Sequence, residues 1–331
     1  MAYPHSFSVA PMMDWTTSEC RQFHRLLTHR ALLYTEMVTT GALIHGKAER
    51  FLRFDSAEHP LALQLGGSQP ADLAQCAKLA QDWGYDEVNL NAGCPSDRVQ
   101  NGMIGAVLMG HAELVRDGLA AMLDAVDIPI TLKHRIGIDD FDDYAFLRDF
   151  VGTTAESGCG TFVVHARKAI LSGLSPKENR EIPPLDYHRV KQLKADFPQL
   201  NIVINGGIKD HQTAQQLIAD GLDGVMLGRE AYQNPLILQD VDPIYYCEAA
   251  PCQTQEDIAD RYLDWIERQY AQGTPLKYLA RHTLGLFQGQ IGARRFRRQL
   301  SEGMHKPDAS PELIRQALHQ VQLVDAQALS A

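Results

Sequence analysis

Eight short apolar runs alternate with longer amphipathic segments over roughly the first two-thirds of the chain, and this alternation limits the possible folds. Most of the short runs are continuously apolar, which is typical of parallel strands covered on both faces. The predicted strands lie at 7–10, 33–37, 61–65, 87–90, 130–134, 162–165, 202–205 and 224–227.

Helical periodicity fills the intervals between these strands. The predicted helices lie at 16–28, 70–83, 112–125, 142–157, 185–196 and 212–220. The first opens on Thr16-Thr17-Ser18-Glu19, a capping sequence, and the second begins with Pro70. Eight β-then-α units predict an α/β fold, a (β/α)8 TIM barrel. A doubly wound sheet is the alternative, although no G-x-G-x-x-G sequence follows the first strand.

The strand pattern stops after about residue 251. Four further helices are predicted, at 255–271, 275–288, 293–301 and 311–323. Glycine and proline residues separate them, as expected for a small all-α helical domain. We therefore predict a catalytic barrel at residues 1–245 and a helical domain at residues 246–331.

Charge is distributed unevenly along the chain. The net charge of −10 argues against indiscriminate binding of polyanions. Residues 277–306 nevertheless contain seven basic residues and one acidic residue, a local net charge of about +6. The cluster reaches its maximum at Arg294-Arg295-Phe296-Arg297-Arg298. A solvated helical face and a phosphate-binding surface both fit this pattern.

The sequence contains no export or membrane signal. No apolar run approaches the roughly 18–20 residues that span a bilayer, and the N-terminus does not resemble a signal peptide. We expect a soluble, cytoplasmic monomer without membrane contact, whose six cysteines are reduced thiols. Their spacing matches no zinc site, so no metal is expected.

Polar, glycine or sulfur residues end nearly every predicted strand, where a TIM barrel carries its active site. Lys133 ends the fifth strand and needs an anionic partner, such as a reduced flavin or a substrate carboxylate, unless it reaches the rim. Asn205-Gly206-Gly207 and Gly228-Arg229 follow the seventh and eighth strands, where barrels commonly bind phosphate. Simple tight turns would contain the same glycines.

A thiol, Cys94, lies on the loop after the fourth strand, between Gly93 and Pro95. These neighbours restrict the backbone, which suits a residue whose position matters. An ordinary thiol is mostly protonated at neutral pH and can serve as a general acid. An inert buried cysteine would show the same spacing. The other five cysteines are expected to be packing residues.

Several of these strings together resemble the tRNA-dihydrouridine synthases. They are APMMD at 10–14, LQLGG at 63–67, NLNAGCP at 89–95, KHR at 133–135, VHAR at 164–167 and NGGI at 205–208. The Asn-x-Gly-Cys-Pro string is the most specific of them. The segment GLSPKENR at 173–180 is similar to the bacterial DusA subfamily.

The resemblance implies a flavoprotein that modifies tRNA. The barrel would hold FMN, NADPH would reduce the flavin, and the helical domain would bind tRNA. Hydride would pass from flavin N5 to uracil C6, and Cys94 would protonate C5. The subfamily likeness further implies positions 20 and 20a of the D-loop as the target uridines.

The resemblance also implies roles for individual residues. Flavin contacts are carried over to Pro11, Met12, Met13, Gln64, Lys133, His165, Asn205, Gly206, Gly207, Gly228 and Arg229. Asn91 would contact the target uridine. The tRNA phosphates would be contacted by Lys177, Arg180, Arg294 and Arg297.

Two other functions compete with this reading. One is a flavin barrel enzyme acting on a small molecule, such as a dihydroorotate or dihydropyrimidine dehydrogenase, which gives no role to the basic helical domain. The other is a non-catalytic RNA-binding module on a decayed barrel, which would bind no flavin.

Overall fold

The computed structural model describes residues 4–96, 102–252 and 254–321. Within them, eight parallel strands form one sheet in the order β1-β8-β7-β6-β5-β4-β3-β2. The strands are β1 Phe7–Val9, β2 Leu33–Thr39, β3 Leu61–Gly66, β4 Glu87–Ala92, β5 Ile130–Arg135, β6 Thr161–His165, β7 Asn201–Asn205 and β8 Gly224–Leu227. Each predicted strand is confirmed to within two residues at either end.

Backbone hydrogen bonds close the sheet into a barrel. The Val9 amide donates to the Leu32 carbonyl at 2.9 Å, and the Leu32 amide donates to the Phe7 carbonyl at 3.1 Å. Leu32 immediately precedes β2, so these bonds join the two ends of the sheet. The (β/α)8 prediction is therefore confirmed, because a doubly wound sheet would leave both edges open.

Helices follow every strand and cover the outside of the barrel. Among the described residues up to 246, the helices are α1 Ser18–Arg25, α2 Thr40–His45, α3 Ala48–Leu52, α4 Pro70–Trp83, α5 Ala112–Leu123, α6 Tyr144–Ala155, α7 Tyr187–Asp196, α8 His211–Ala219, α9 Arg229–Gln233 and α10 Val241–Tyr246. The six predicted helices are confirmed to within three residues. The short α2, α3, α9 and α10 were missed, since one or two turns give no readable periodicity.

The predicted capping sequence has a different role. Helix α1 begins at Ser18, and its N-cap Thr17 makes no side-chain capping bond. The Thr16 hydroxyl instead accepts a hydrogen bond from the Met12 amide at 3.0 Å. Thr17 Oγ1 lies 3.1 Å from His282 Nε2. These threonines therefore organise the loop after β1 and its contact with the C-terminal helices.

Side chains alternate between two apolar regions. Val88 and Leu90 of β4 belong to the large core between the barrel and its helices, because successive strand residues face opposite sides. A smaller cluster fills the barrel interior and consists of Ala10, Leu32, Tyr34, Ala62, Val163, Val203 and Met226.

The C-terminal region is helical, as predicted. Its helices are α11 Gln255–Ala271, α12 Leu276–Ala280, α13 Ala293–Gly303 and α14 Glu312–Leu318. The predicted helix at 275–288 was wrong in length: α12 ends at Ala280 and continues as the 3-10 turn Arg281–Thr283. The chain turns there so that Gly285 packs on α9, where a Cβ would lie 2.0 Å from the Gln233 carbonyl oxygen. The helix predicted at 311–323 was also too long, because α14 begins at Glu312 and ends at Leu318; positions 322–323 lie outside the described residues.

The helical region is attached to one side of the barrel. Trp265 of α11 donates from Nε1 to Gln22 of α1 at 3.1 Å. Arg281 donates from Nη2 to the Asp14 carbonyl at 2.9 Å, which connects the region to the loop after β1. No helix in the described part of the chain has the length and apolarity to cross a membrane.

Candidate active site at the barrel mouth

Cys94 lies at the carboxyl end of the barrel, two residues beyond β4. The Asn91 side-chain oxygen accepts from the amides of Gly93 at 3.0 Å and Cys94 at 2.9 Å. The Cys94 carbonyl accepts from the Ala106 amide at 2.8 Å. Its backbone is thus held on both sides, while the residue stays partly exposed.

The remaining cysteines differ from Cys94 in their surroundings. Cys20, Cys76, Cys159 and Cys252 are buried, as expected of packing residues. Cys247 is exposed and takes a left-handed conformation, with φ 56°, at the end of α10. The expectation that it is a packing residue was therefore wrong.

Gln64 and Asn91 are bonded to each other beneath the mouth. Gln64 is only 1% exposed, and its Oε1 accepts from Asn91 Nδ2 at 2.8 Å. Because the Asn91 oxygen already holds the Cys94 loop, Asn91 has one N–H left for a ligand. Asn91 is thus a support of the Cys94 loop as well as the predicted uridine contact.

Lys133 of β5 points into the mouth opposite β7. Its Nζ lies 3.2 Å from Asn205 Oδ1, and Asn205 is oriented by donating from Nδ2 to the Met226 carbonyl at 2.7 Å. Burial lowers the pKa of Lys133 to about 7, and the positive charge of Arg135 contributes in the same direction. An anionic or electron-rich ligand beside this ammonium group would raise the pKa again.

The turn after β7 has the backbone shape that its sequence predicts. Gly206 and Gly207 both have positive φ, 116° and 70°. A Cβ at Gly207 would lie 2.3 Å from Leu185 Cδ1, so no other residue fits without rearrangement. Tyr187 fixes the turn by donating to the Gly206 carbonyl at 2.6 Å.

His165 faces the same turn, and one of its ring nitrogens lacks a hydrogen-bond partner within the described residues. Its Nδ1 is buried and has no hydrogen-bond partner within the described residues. Burial, followed by the positive charges of Arg135 and Lys133, holds the pKa of His165 well below its usual value. The ring is therefore neutral at physiological pH and can offer Nδ1 to a ligand.

The loop after β1 and the turn after β8 lie side by side. A Cβ at Gly228 would lie 3.8 Å from Met12 Sδ, which brings these two predicted cofactor contacts together. Pro11 and Met12 are partly buried, while Met13 is 57% exposed. The Arg229 side chain pairs with Glu181 at 2.7 Å. It therefore contacts the segment after β6, a placement that the sequence did not reveal.

Arg135 is a structural element of the site that sequence reasoning left without a role. It is buried, and its Nε donates to the Gly93 carbonyl at 2.8 Å. Its Nη1 donates to the carbonyls of Lys168 and Asn179, both at 3.0 Å. Burial lowers the pKa of Arg135 to about 10, so it stays protonated at neutral pH. Arg135 therefore ties the Cys94 loop to the segment after β6.

The basic cluster is an exposed face of α13. Ala293, Phe296 and Leu300 are buried at helical spacing. The arginines between them, Arg294, Arg295, Arg297 and Arg298, are all exposed. Arg298 pairs with Glu302 at 2.9 Å, and Arg297 donates to the Leu284 carbonyl at 3.3 Å.

The predicted tRNA contacts lie on two separate surfaces. One surface is α13, where Arg297 donates a hydrogen bond to the Leu284 carbonyl. Three residues before Leu284, Arg281 donates to the Asp14 carbonyl in the loop after β1. Lys177 and Arg180 are exposed on the segment after β6, which Arg135 ties to the Cys94 loop. Arg281 thus joins the helical region to the loop after β1, and Arg135 joins the segment after β6 to the Cys94 loop.

Comparison with known proteins gives a family match over nearly the whole chain. The family model described as dihydrouridine synthase (Dus) matches residues 8–322. A tRNA-dihydrouridine(20/20a) synthase of Vibrio cholerae is 57% identical over 322 residues, covering 97% of this chain and 98% of the relative. Proteins of the same name from Yersinia pestis (59% over 318 residues, 96% and 92% covered) and Escherichia coli (58% over 318 residues, 96% of each) are equally similar.

A solved structure supports the fold. The old yellow enzyme homologue of Zymomonas mobilis superposes with a TM-score of 0.53 at 12% identity, covering 76% of this chain and 92% of the other. At this identity the likeness concerns the fold alone.

Proposed function

The chain belongs to the dihydrouridine synthase family, and we propose that it reduces uridines 20 and 20a of the tRNA D-loop to dihydrouridine, with FMN bound in the barrel and NADPH as reductant. The observation that carries this proposal is the arrangement of the mouth. The mouth contains both the partly exposed thiol of Cys94, whose backbone is held by hydrogen bonds, and the desolvated amine of Lys133.

The residues of the mouth fit a flavin mononucleotide. The buried Nδ1 of His165 lacks a partner within the described residues, and the depressed pKa of Lys133 calls for an electron-rich neighbour. The glycine turn after β7 presents its backbone beside His165, in the position where TIM barrels bind phosphate. We assign His165, Asn205, Gly206, Gly207 and the backbone at Gly228 to the ribityl phosphate, and Lys133 and Gln64 to the ring edge. Pro11, Met12 and Met13 would lie against the ring.

The proposed chemistry divides between cofactor and protein. Bound FMN, reduced by NADPH, supplies the hydride for C6 of the uracil. Cys94 gives its thiol proton to C5, so that the C5–C6 double bond becomes a single bond and the thiolate remains. Because Cys94 is partly exposed, its thiolate can recover a proton from water. Lys133, whose pKa rises beside an electron-rich ring, holds its proton there and stabilises negative charge.

The basic surfaces explain how a folded RNA reaches the mouth. A nucleobase must leave its stack to enter a barrel, which costs a few kcal/mol. Exposed arginines on α13 and the exposed Lys177 and Arg180 offset this cost by neutralising phosphates. Such contacts position the RNA without reading its bases. Under this proposal the protein works in the cytoplasm, where tRNA is found.

The decisive experiment is mass spectrometry of tRNA after incubation with the protein and NADPH. We expect a gain of two hydrogens on nucleotides 20 and 20a, abolished by Cys94→Ala. Unmodified tRNA, with active oxidation of NADPH by the same sample, would contradict the proposed substrate. A small-molecule flavin enzyme would also keep full activity after charge reversal of Arg294 and Arg297, whereas a tRNA enzyme would lose it.

A further inference from the structure

The interior of the barrel contains polar side chains at paired positions of three neighbouring strands. The register aligns Gln64 of β3 with Asn89 of β4, and Asn89 with Thr131 of β5. Exposure of these three residues is 1%, 0% and 1%. Buried polar groups in an apolar interior are retained only where hydrogen bonds satisfy them.

These side chains form a continuous chain of hydrogen bonds toward the floor of the barrel. Gln64 Nε2 donates to Asn89 Oδ1 at 2.7 Å, and Asn89 Nδ2 donates to Thr131 Oγ1 at 2.8 Å. The Thr131 hydroxyl donates to Glu87 Oε1 at 2.7 Å. The Glu87 carboxylate also accepts from the Tyr34 hydroxyl at 2.8 Å, and its Oε2 lies 2.7 Å from a ring nitrogen of His5.

At its upper end the same chain reaches the Cys94 loop. Asn91 Nδ2 donates to Gln64 Oε1 at 2.8 Å, and Asn91 Oδ1 accepts from the amides of Gly93 and Cys94. Four hydrogen-bonded side chains therefore connect the Glu87 carboxylate at the floor of the barrel with the backbone of the proposed proton donor.

The two ends of this chain determine the direction of every bond within it. Backbone amides can only donate, so the oxygen of Asn91 must face the loop and its nitrogen must face Gln64. The oxygen of Gln64 is then fixed, and so in turn is the orientation of Asn89. At the opposite end the Glu87 carboxylate is an acceptor, which requires the Thr131 hydroxyl to donate downward.

We propose that Thr131 and Glu87 are positioning residues of the proposed reaction, which act through Asn89 to fix the amide orientations of Gln64 and Asn91 and thereby the backbone of Cys94. The inference rests on the proposed function for its catalytic meaning. Without the Thr131 hydroxyl, Asn89 Nδ2 loses its acceptor. Only the loop amides then oppose reversal of the side-chain amides above, and in the reversed state an Asn91 nitrogen would face the Gly93 and Cys94 amides and no longer hold them.

The test compares four variants. Thr131→Val removes the hydroxyl and keeps the shape of the side chain, whereas Thr131→Ser keeps the hydroxyl. Thr154→Val is the matched control, because Thr154 is also a fully buried threonine whose hydroxyl is bonded, but on helix α6 outside the barrel. Glu87→Gln perturbs the same chain and serves if Thr131→Val folds poorly. It replaces one carboxylate oxygen, which accepts hydrogen bonds, by a nitrogen that donates them.

The first measurement is amide hydrogen exchange by mass spectrometry on peptides that contain residues 89–96, in the absence of tRNA. We expect exchange at Gly93 and Cys94 to accelerate about fivefold or more in Thr131→Val, and to stay at the wild-type rate in Thr131→Ser and Thr154→Val. Equal exchange in Thr131→Val and Thr154→Val would overturn the proposal.

The second measurement follows flavin absorbance while the reduced protein is reoxidised by saturating tRNA, with reoxidation by molecular oxygen as the comparison. Only the tRNA reaction uses Cys94. We expect Thr131→Val to slow it by about tenfold, the range for a displaced catalytic group, with the KM for tRNA and the oxygen rate within about twofold of wild type. A parallel loss in both rates would mean a general packing defect and would refute a positioning role. If wild-type protein itself were not reoxidised by tRNA, the proposed function would fail while the exchange measurement still decided the hydrogen-bond chain.

Discussion

Replacing Lys133 by methionine should stabilise the flavin-depleted protein and weaken its affinity for FMN. The ammonium group of Lys133 is desolvated, and within the described part of the chain it makes one hydrogen bond, to Asn205 Oδ1 at 3.2 Å. Methionine has a similar length and no charge to desolvate. The same substitution removes the group that we assign to the flavin ring edge, so stability and cofactor affinity should change in opposite directions.

The magnitude follows from the lowered pKa. The pKa of Lys133 falls from 10.5 to about 7 on folding. Each pKa unit corresponds to roughly 1.4 kcal/mol, so the buried ammonium group costs the folded state at most about 5 kcal/mol at or below pH 7. Leaving Asn205 Oδ1 without its donor costs about 1–3 kcal/mol in return. We therefore expect the free energy of unfolding to rise by at most about 2–4 kcal/mol at pH 7.

The pH dependence has a definite sign. Between pH 7 and 10.5 the unfolded chain holds a proton on Lys133 that the folded chain has released. Wild-type stability therefore rises with pH over this window, and below pH 7 both states are protonated and the contribution is constant. The advantage of Lys133→Met should accordingly shrink by up to about 1.4 kcal/mol per pH unit above pH 7.

Urea unfolding of the flavin-depleted proteins at about pH 7, 8 and 9 measures this difference. Lys177→Met is the control, because Lys177 is exposed and its replacement should change neither stability nor FMN affinity. Titration of flavin fluorescence gives the affinity of each variant for FMN. A stability difference between Lys133→Met and wild type that does not vary with pH would refute the reasoning, as would a variant that binds FMN as tightly as wild type.

Three further outcomes are expected. Cys94→Ala should retain the flavin absorbance and lose about 10²- to 10⁴-fold in dihydrouridine formed per minute; wild-type turnover would exclude Cys94 as the proton donor. The double variant Arg294→Glu/Arg297→Glu should weaken tRNA binding at least about tenfold and reduce the slope of log affinity against log salt by about 1.5–2, whereas Arg148→Glu, on the exposed side of helix α6, should not; an unchanged slope in filter binding would remove α13 from the interface. Asp242→Ala removes one buried carboxylate that accepts three hydrogen bonds and should lower the free energy of unfolding by about 3 kcal/mol; a loss under about 1 kcal/mol in urea unfolding would contradict that assignment.

The elements of the barrel were predictable because their signals are local. Continuous apolar runs identified the strands, and the 3.6-residue period identified the longer helices. Glycine and proline marked the ends, as Pro70 and Gly84 do for α4, whose predicted bounds agree with the structure. The same locality placed Lys133, Asn205 and Cys94 at the mouth, since each lies within two residues of the carboxyl end of a strand.

The polar face of β4 in the barrel interior could also have been predicted from the sequence, but it was missed. Glu87, Asn89 and Asn91 alternate along β4, so they share the face opposite Val88 and Leu90. A strand with a polar residue at every inward position indicates a buried network. The sequence could have shown that such a network exists, but not what its members bind.

Partners across the fold were decided by tertiary structure alone. The chain from Glu87 to Cys94 depends on the register of three strands, the Arg135 bonds depend on where the segment after β6 returns, and the early end of α12 depends on the contact at Gly285. Each of these brings together residues from different elements, and their closeness in space follows from strand register and packing rather than from local propensity. The sequence therefore determined which groups stand at the mouth, because that depends on neighbours along the chain, and the fold decided which of them meet, because that depends on register and packing.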